Sequence, residues 1–285
     1  MPEGSYTFEI GSIRCAVLSD GYYAYPVDWF FPNADPARLA EALDRRRSPH
    51  HAVLSPYTCL LIETGRHVLL VDTGAGPAAR SSGAIVARLE MAGIRPRDVD
   101  TVVLTHAHPD HIGGTARPDG RVLFANARHI LSEAEWEFWA HGHPDLTAMR
   151  VPHDVRAGIA PVARRSIEIL RFQIETVDRE REIAPGVHVI PAPGHTPGHL
   201  AVLIESGGER LLHIGDAAVH PLHVEFPELQ NGFDQCPDRA AATRRELLDR
   251  AASDGMRLMA FHFPFPSVGR IAPRAGGGWE WSPGS

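Results

Sequence analysis

Two segments of this chain share the same plan, and this repetition restricts the folds open to it. The first, TCLLIETGRHVLLVDTG (residues 58–74), has two apolar, β-rich stretches separated by a Thr-Gly turn and closed by Asp-Thr-Gly. The second, HLAVLIESGGERLLHIGD (residues 199–216), has the same plan with a Ser-Gly-Gly turn and a final Gly-Asp. Each pattern is typical of a β-hairpin. A duplicated strand-rich unit predicts two β-sheets stacked against each other.

Segments with helical spacing lie between and after the two hairpins. SSGAIVARLEMAG ends at Gly93, which suits a helix C-cap. SEAEWEFWA begins at Ser132 and has Glu135 three residues later, the pattern of a capping box. DRAAATRRELLDRAASDG, from Asp238 to Gly255, is the clearest helix signal in the chain. Strands that alternate with helices predict an α/β fold with αββα layering.

Charge, terminal sequence and cysteine spacing exclude several classes of protein. A net charge of −7 over 285 residues argues against a surface built for nucleic acid. The first residues lack a basic stretch followed by an apolar run, and no apolar run is long enough to span a bilayer. The three cysteines are far apart and form no CxxC pair, which argues against a disulfide scaffold. We therefore expect a soluble, cytoplasmic protein that binds neither nucleic acid nor membrane.

The histidine content of the chain is the feature that indicates metal binding. The chain has 17 histidines, and the segment LTHAHPDHIGG concentrates His106, His108, Asp110 and His111 at the C-terminal end of the β-rich stretch Thr101–His106. If the chain turns after that strand, the first two histidines point to one side and the Asp-His pair to the other. One loop then supplies two ligands to each of two cations. Mixed imidazole and carboxylate ligands suit zinc, with iron, manganese or cobalt as alternatives.

Three more candidate ligands lie at the ends of other predicted strands. His195 follows VHVIPA in the segment APGHTPGH, Asp216 ends LLHIGD, and His262 ends LMAFH. Scaffolds built from sheets usually present functional groups at such strand ends. Together the three residues complete a site for two metal ions.

The series THAHPDH, PGHTPGH, GD and the histidine before FPFP, together with LLVDTG, resembles the metallo-β-lactamase fold superfamily. The resemblance runs from about Thr58 to Pro266 and implies a four-layer αββα sandwich that forms one domain over residues 1–285. It implies that Asp72 orients one ligand imidazole. It also implies two divalent metal ions, most simply Zn²⁺, bound at one site by His106, His108 and His195 and at the other by Asp110, His111 and His262, with Asp216 bridging both.

The ligand set distinguishes branches within this superfamily. Zinc β-lactamases lack a bridging aspartate, the nuclease branch adds a large second domain, and the redox di-iron branch has glutamate where this chain has His108. The segments HFPFPSVGRI, HVEFPELQNGFDQCPDRAAATRRELLDRAA and GGGWEW are most similar to the branch of quorum-quenching lactonases and methyl parathion hydrolase. N-acyl homoserine lactonases carry a tyrosine three residues after the bridging aspartate. Here that position is Val219, followed by His220, which weakens that substrate and leaves a lactone or ester.

The expected activity is a dinuclear-metal hydrolase that opens a lactone or cleaves a carboxylic ester, with attack by a hydroxide that bridges the two metal ions. Asp110 and Asp216 are the expected catalytic residues, and Asp110 would pass a proton to the leaving alkoxide. The alternatives are an aryl-ester or phosphotriester hydrolase, a thioesterase of the glyoxalase II type, and a redox or metal-binding protein without hydrolase activity.

An N-terminal excursion at about residues 22–56 contains the aromatic run Tyr22–Phe31. In proteins that this chain resembles, such an excursion covers the metal cleft or packs across a dimer. An apolar wall of this kind fits an acyl or aryl group better than a charged substrate. Packing in the core or in a homodimer interface is the alternative expectation for this run.

Overall fold

Two β-sheets form the centre of the molecule in the computed structural model, which describes residues 4–76, 81–141 and 144–284. In these residues each sheet has seven strands. The first sheet contains, in spatial order, β1 (Ser5–Ile10), β2 (Ile13–Pro26), β3 (Ala52–Thr64), β4 (His67–Val71), β5 (Thr101–Val103), β6 (Arg128–Ser132) and β7 (Ile174–Val177). The second contains β8 (Arg181–Ala184), β9 (Val187–Pro191), β10 (Leu200–Ser206), β11 (Glu209–His213), β12 (Arg257–Met259), β13 (Val268–Pro273) and β14 (Trp279–Pro283).

The two predicted hairpins are confirmed, and they occupy equivalent positions in the two sheets. Strands β3 and β4 pair antiparallel, as do β10 and β11. Each hairpin is then joined by a parallel strand, β5 beside β4 and β12 beside β11. This duplicated arrangement is the source of the sequence repetition.

The hairpin strands are buried on both faces, which explains why their sequences are almost continuously apolar. Successive side chains of a strand point to opposite faces. In β3, Leu60 and Ile62 belong to the buried cluster between the sheets, which also contains Val202 of β10. Leu61, between them, belongs to a second buried cluster on the other face, together with Trp139 of a covering helix. The core is therefore divided between the sheet interface and the two outer layers.

Helices cover the outer faces and complete the four predicted layers. The described residues contain α1 (Val27–Phe30), α2 (Pro36–Arg45), α3 (Ile85–Met91), α4 (Pro109–Ile112), α5 (Glu133–Ala140), α6 (His153–Leu170), α7 (Pro221–Glu225) and α8 (Pro237–Ser253). The predicted helices α3, α5 and α8 are confirmed to within a few residues at their ends. In the described part of the chain, no helix combines the length and the apolar character needed to cross a membrane.

The strand predicted over Thr101–His106 is shorter than expected, because β5 ends at Val103. The amide of Thr105 donates to Asp72 Oδ1 at 2.8 Å instead of pairing with a neighbouring strand. The backbone therefore leaves the sheet two residues before the histidine cluster begins.

We predict that Gly114→Ala destabilises the protein, because this glycine lies against the backbone beside the histidine loop. A Cβ at Gly114 would lie 2.0 Å from the carbonyl oxygen of Thr73, which is closer than any real contact. The expected loss of unfolding free energy is about 1–3 kcal/mol, the usual effect of overpacking, measured by urea denaturation.

Gly158→Ala is the matched control, since an added Cβ at this position in α6 has no atom within 4 Å. Alanine is favoured over glycine inside a helix by about 0.8–1.0 kcal/mol, so this variant should be at least as stable as the wild type. Equal losses in the two variants would contradict the predicted clash.

Candidate metal centre

Strand ends from both sheets meet at one edge of the sandwich and carry the candidate ligands. His106 and His108 lie in the loop after β5, and Asp110 and His111 in the short helix α4 that follows. His195 follows β9, Asp216 lies in the turn Gly215–Ala217 after β11, and His262 follows β12. Pro109 occupies the first turn of α4, where its missing N–H costs no hydrogen bond.

All seven predicted site residues come together in the structure. They form three overlapping groups whose ligand atoms lie within 4.8 Å of one another. The groups are His106, His108 and His195; His106, His111 and Asp216; and Asp110, His111 and His262. We call His106, His108 and His195 the three-histidine group, and Asp110, His111 and His262 the Asp-His-His group.

Asp216 is the carboxylate that lies between these two groups. Its Oδ2 is 3.4 Å from Nε2 of His195 and 3.2 Å from Nε2 of His262. Its Oδ1 is 3.4 Å from Nε2 of His111. One side chain therefore reaches nitrogens of both groups, as a bridging ligand must.

The unpartnered atoms of the cluster all face its centre. His106 Nε2, His111 Nε2 and Asp216 Oδ1 are buried and have no hydrogen-bond partner among the described residues. An unsatisfied buried polar atom is costly, and a bound cation removes that cost for nitrogen and oxygen lone pairs alike. The donor set of imidazoles and carboxylates is the one that divalent transition metals prefer. The residues present therefore fit two divalent metal ions.

Hydrogen bonds at the outer nitrogens fix the orientation of the imidazoles. His111 Nδ1 contacts Asp72 Oδ2 at 2.8 Å, the contact that the predicted role of Asp72 requires. His262 Nδ1 contacts Ser55 Oγ at 2.8 Å. With the outer nitrogen engaged, the inner nitrogen of each ring keeps its lone pair for a cation.

Asp72 holds this arrangement at the expense of backbone strain. Its φ of 59° is in the left-handed region, which a residue with a side chain rarely adopts. From this conformation its carboxylate accepts the amide and the hydroxyl of Thr105, each at 2.8 Å, as well as the His111 contact. Strain of this kind is typical of functional sites.

Sequence reasoning missed Asp234, which supports His195. Asp234 Oδ1 is 2.9 Å from His195 Nδ1, and its Oδ2 accepts the amide of Asn231 at 3.0 Å. The buried guanidinium of Arg244 lies 3.8 Å from Oδ2 and donates to the carbonyl oxygen of Ala217 at 2.6 Å. No sequence signal separates this aspartate from the acidic residues around it.

The prediction of a complete capping box at α5 is wrong. Ser132 Oγ accepts the amide of Glu135 at 3.2 Å, as the pattern requires. The carboxylate of Glu135 does not return to the backbone of Ser132, because it is buried and accepts instead from the amides of Ala107 and Gly198. Only half of the motif is therefore formed.

His199 lies beside the centre and fixes the backbone of Asp216. Its Nε2 accepts the amide of Asp216 at 3.0 Å, and its Nδ1 is 3.1 Å from the carbonyl oxygen of Ala192. Gly215 is needed for this contact, since an added Cβ would lie 2.6 Å from His199 Nε2. Both ring nitrogens are used, so His199 is not a ligand candidate.

The electrostatics of the side chains agree with a cation site. Burial and the neighbouring imidazoles lower the pKa of His106 and His108 well below the usual range, which keeps them in the neutral form that binds metals. Burial acts in the same direction on His111 and His262, but the negative charges of Asp216 and the neighbouring aspartates outweigh it and raise the pKa of both. The carboxylate of Asp216 therefore favours a positive charge in the space between these side chains.

A cavity of about 290 Å³ opens directly onto the cluster. Its walls are mainly aromatic and aliphatic, and Asp110, His195, Asp216 and His262 reach into it. The aromatic wall residues are Tyr23, Tyr25, Trp29, Phe30, Tyr57 and Phe233. Part of the aromatic run Tyr22–Phe31 therefore lines the site.

Val219 and His220 lie three and four residues after Asp216, where the sequence departs from the tyrosine expected of lactonases. The two side chains have separate roles. Val219 is part of the cavity wall. His220 is the N-cap of α7, and its Nδ1 accepts the amide of Leu222 at 3.1 Å. Neither side chain places a hydroxyl at the cluster.

Comparison with known proteins agrees with this site. The sequence model of the metallo-beta-lactamase superfamily matches residues 52–262. An N-acyl homoserine lactonase from Bacillus sp is 29% identical over 63% of this chain and 70% of its own length.

Two solved structures cover the whole chain. AidC, described as a dizinc quorum-quenching lactonase in complex with a product, N-hexnoyl-L-homoserine, has a TM-score of 0.93 at 27% identity over 100% of this chain and 98% of that one. AbOPH, described as a hydrolase in the beta lactamase superfamily, has a TM-score of 0.89 at 26% identity over 100% and 99%. The fold is thus shared with metal-dependent hydrolases.

We predict that removing divalent metal destabilises the protein, because the inward nitrogens and the Asp216 carboxylate then face each other without a cation. After dialysis against a chelator, unfolding should occur at a lower temperature. Adding Zn²⁺ at 100 times its Kd should restore about 2.7 kcal/mol for each independent site, measured by calorimetry. An unfolding temperature that does not respond to chelator or Zn²⁺ would contradict the proposed centre.

Proposed function

The chain belongs to the metallo-β-lactamase superfamily and is a metal-dependent hydrolase, and we propose that its substrate is a lactone or a carboxylic ester. The observation that carries this proposal is the apolar, aromatic cavity placed directly on the metal centre. Such a cavity accommodates an acyl group and a neutral carbonyl at low desolvation cost. The similarity to proteins described as lactonases supports the same substrate class.

The seven clustered residues are the proposed metal ligands, and Zn²⁺ is the proposed metal. His106, His108 and His195 would hold one ion, Asp110, His111 and His262 the other, and Asp216 would contact both. When bound, such a pair of ions supplies a nucleophilic water at neutral pH and polarises the substrate carbonyl.

Asp110 is the proposed proton carrier. Hydrolysis forms a bond between the carbonyl carbon and the water oxygen, breaks the ring or ester C–O bond, and moves one proton from water to the leaving alkoxide. Asp110 reaches into the cavity, and its Oδ2 is 3.4 Å from His262 Nε2. A carboxylate at this position can take the proton from water and give it to the alkoxide. The product is a hydroxy acid, or an acid and an alcohol.

Two tyrosine hydroxyls on the cavity wall are proposed to bind the substrate carbonyl. Tyr25 and Tyr57 have hydroxyl oxygens 2.8 Å apart. One hydrogen forms the bond between them, and the described residues offer no acceptor for the other. Burial, followed by the negative charge of Asp110, raises the pKa of both hydroxyls. They therefore stay protonated and can donate to a developing oxyanion.

Aryl-ester or phosphotriester hydrolysis is the second candidate, and the aromatic wall favours it. The ring of Phe233 meets those of Tyr25 and Trp29 edge-on, with centroids 5.8 and 6.1 Å apart. Such a wall accepts a planar aryl group in the same way. A glutathione thioester is favoured less, because the described residues that line the cavity include no lysine or arginine to bind its carboxylates.

We predict that metal-loaded enzyme prefers lactones and carboxylic esters in a hydrolysis screen. The screen compares an N-acyl homoserine lactone, an aliphatic lactone, an aryl acetate, a phosphotriester and a glutathione thioester by kcat/KM. The first three should exceed the thioester by at least about 10-fold, and His108→Ala and Asp216→Ala should remove activity toward all. Turnover of the thioester alone would refute the proposal, and turnover of the aryl acetate or the phosphotriester without either lactone would favour the second candidate.

We also predict that Tyr57→Phe lowers kcat by at least about 10-fold with a smaller effect on KM, because one donor to the oxyanion is lost. Tyr25→Phe should act similarly, since it breaks the same pair. Tyr22→Phe is the control, because Tyr22 is not among the cavity-lining residues. Unchanged kcat in both pocket variants would exclude the hydroxyl pair from carbonyl binding.

A further inference from the structure

The geometry points to Glu135 as a positioning residue that sets the metal affinity of the three-histidine group. Its carboxylate connects the loop that carries His106 and His108 to the separate loop that carries His195. This inference rests on the metal centre of the proposed function, and it adds a residue that lies outside the seven ligand candidates.

Glu135 is fully buried, and both of its carboxylate oxygens are used twice. Oε1 accepts the amide of Ala107 at 2.9 Å and the indole N–H of Trp139 at 2.6 Å. Oε2 accepts the hydroxyl of Thr196 at 2.6 Å and the amide of Gly198 at 3.1 Å. Four donors saturate the carboxylate, so its position is fixed by all four at once.

The bonded positions are the immediate neighbours of the histidines. Ala107 lies between His106 and His108 in the chain, and Thr196 directly follows His195. The two loops come from different sheets, since one follows β5 and the other follows β9. The Glu135 carboxylate therefore fixes the backbone of one loop relative to the other.

The two loops need such a tie because two of their ligand atoms would repel each other if both carried lone pairs, as binding of a cation requires. Nδ1 of His108 and Nε2 of His195 are 3.0 Å apart. When the outer nitrogen of His195 donates to Asp234, its inner nitrogen carries a lone pair, and the inner nitrogen of His108 must do the same to bind a metal. Holding two lone pairs at this distance requires support from elsewhere.

Packing around the carboxylate acts in the same direction. A Cβ added at Gly198 would lie 2.1 Å from the amide nitrogen of Glu135, so this loop rests directly on the first turn of α5. The indole of Trp139 lies with its centroid 6.0 Å from that of His108. The helix thus contacts both loops of the three-histidine group.

The Asp-His-His group depends on different residues. His111 is supported by Asp72, and His262 by Ser55. The hydrogen bonds of the Glu135 carboxylate go to Ala107, Trp139, Thr196 and Gly198, none of which belongs to that group. Loss of the Glu135 carboxylate should therefore weaken one metal site and spare the other.

The test uses Glu135→Gln in two backgrounds of the full-length protein, each of which keeps one site. His262→Ala leaves the three-histidine group, and His195→Ala leaves the Asp-His-His group. Glutamine keeps the volume of the side chain but turns an N–H₂ toward two of the four donors. Zn²⁺ affinity is measured by competition with a chromophoric chelator, and the absorption spectrum of bound Co²⁺ reports the ligand geometry.

In the His262→Ala background we expect Glu135→Gln to weaken Zn²⁺ binding about 10–100-fold, the usual effect of losing a residue that orients a ligand, and to change the Co²⁺ spectrum. In the His195→Ala background the affinity should not change. Glu137→Gln is the matched control, because Glu137 is an exposed glutamate on the same helix. It should leave both affinities unchanged.

Unchanged affinity in the His262→Ala background would overturn the inference, even if the unfolding temperature fell, because Glu135 would then only stabilise the fold. Equal losses in both backgrounds would overturn it as well, since they would indicate general destabilisation. Failure of the wild type to bind divalent ions is a distinct result, which would refute the proposed metal centre itself.

Discussion

The hydrogen bond at the outer nitrogen of each buried imidazole is the interaction on which the rest of this site depends. Five histidines can turn lone pairs toward one space only if something holds their rings against mutual repulsion. Asp72, Asp234 and Ser55 hold three of these rings directly, at 2.8–2.9 Å. The carboxylates and hydroxyls that do this are buried with the rings. The protein therefore keeps a cluster of oriented ligand atoms inside an otherwise apolar sandwich.

The fold supplies this arrangement through its duplication. Each sheet places a parallel strand beside an antiparallel hairpin, and the strands β5, β9, β11 and β12 end at the same edge. Neither half holds a complete ligand group. The three-histidine group, for example, takes two residues after β5 and one after β9. The packing between the sheets then determines how closely the two halves approach. The packing that stabilises the sandwich therefore also determines the geometry of the metal centre.

The sequence predicted the hairpins, the layers and the four residues of the HxHxDH segment through local patterns. It predicted His195, Asp216 and His262 through their places at strand ends and the resemblance to the superfamily. It did not predict α6, because Gly158 and Pro161 interrupt its helical pattern while tertiary packing of Ile159 and Ile167 maintains it. It assigned Glu135 to a capping box, since three of the four competing donors are 28 to 63 residues away in the chain. Supporting residues such as Asp234 share no short motif with the ligand they orient. Contacts between distant segments are therefore what sequence patterns fail to show.

Substrate choice depends on a different part of the chain from the metal chemistry. The strand ends that carry the ligands determine that water and a carbonyl can react, and this is common to many hydrolases built on one fold. The segment from Tyr23 to Phe30 contributes four of the cavity-wall residues and lies far from the ligand motifs in the sequence. It also brings the Tyr25 hydroxyl to Tyr57, while Val219 adds an apolar side chain to the wall of the same cavity. A change in this segment can therefore alter which acyl or aryl group is bound while the reacting centre stays the same.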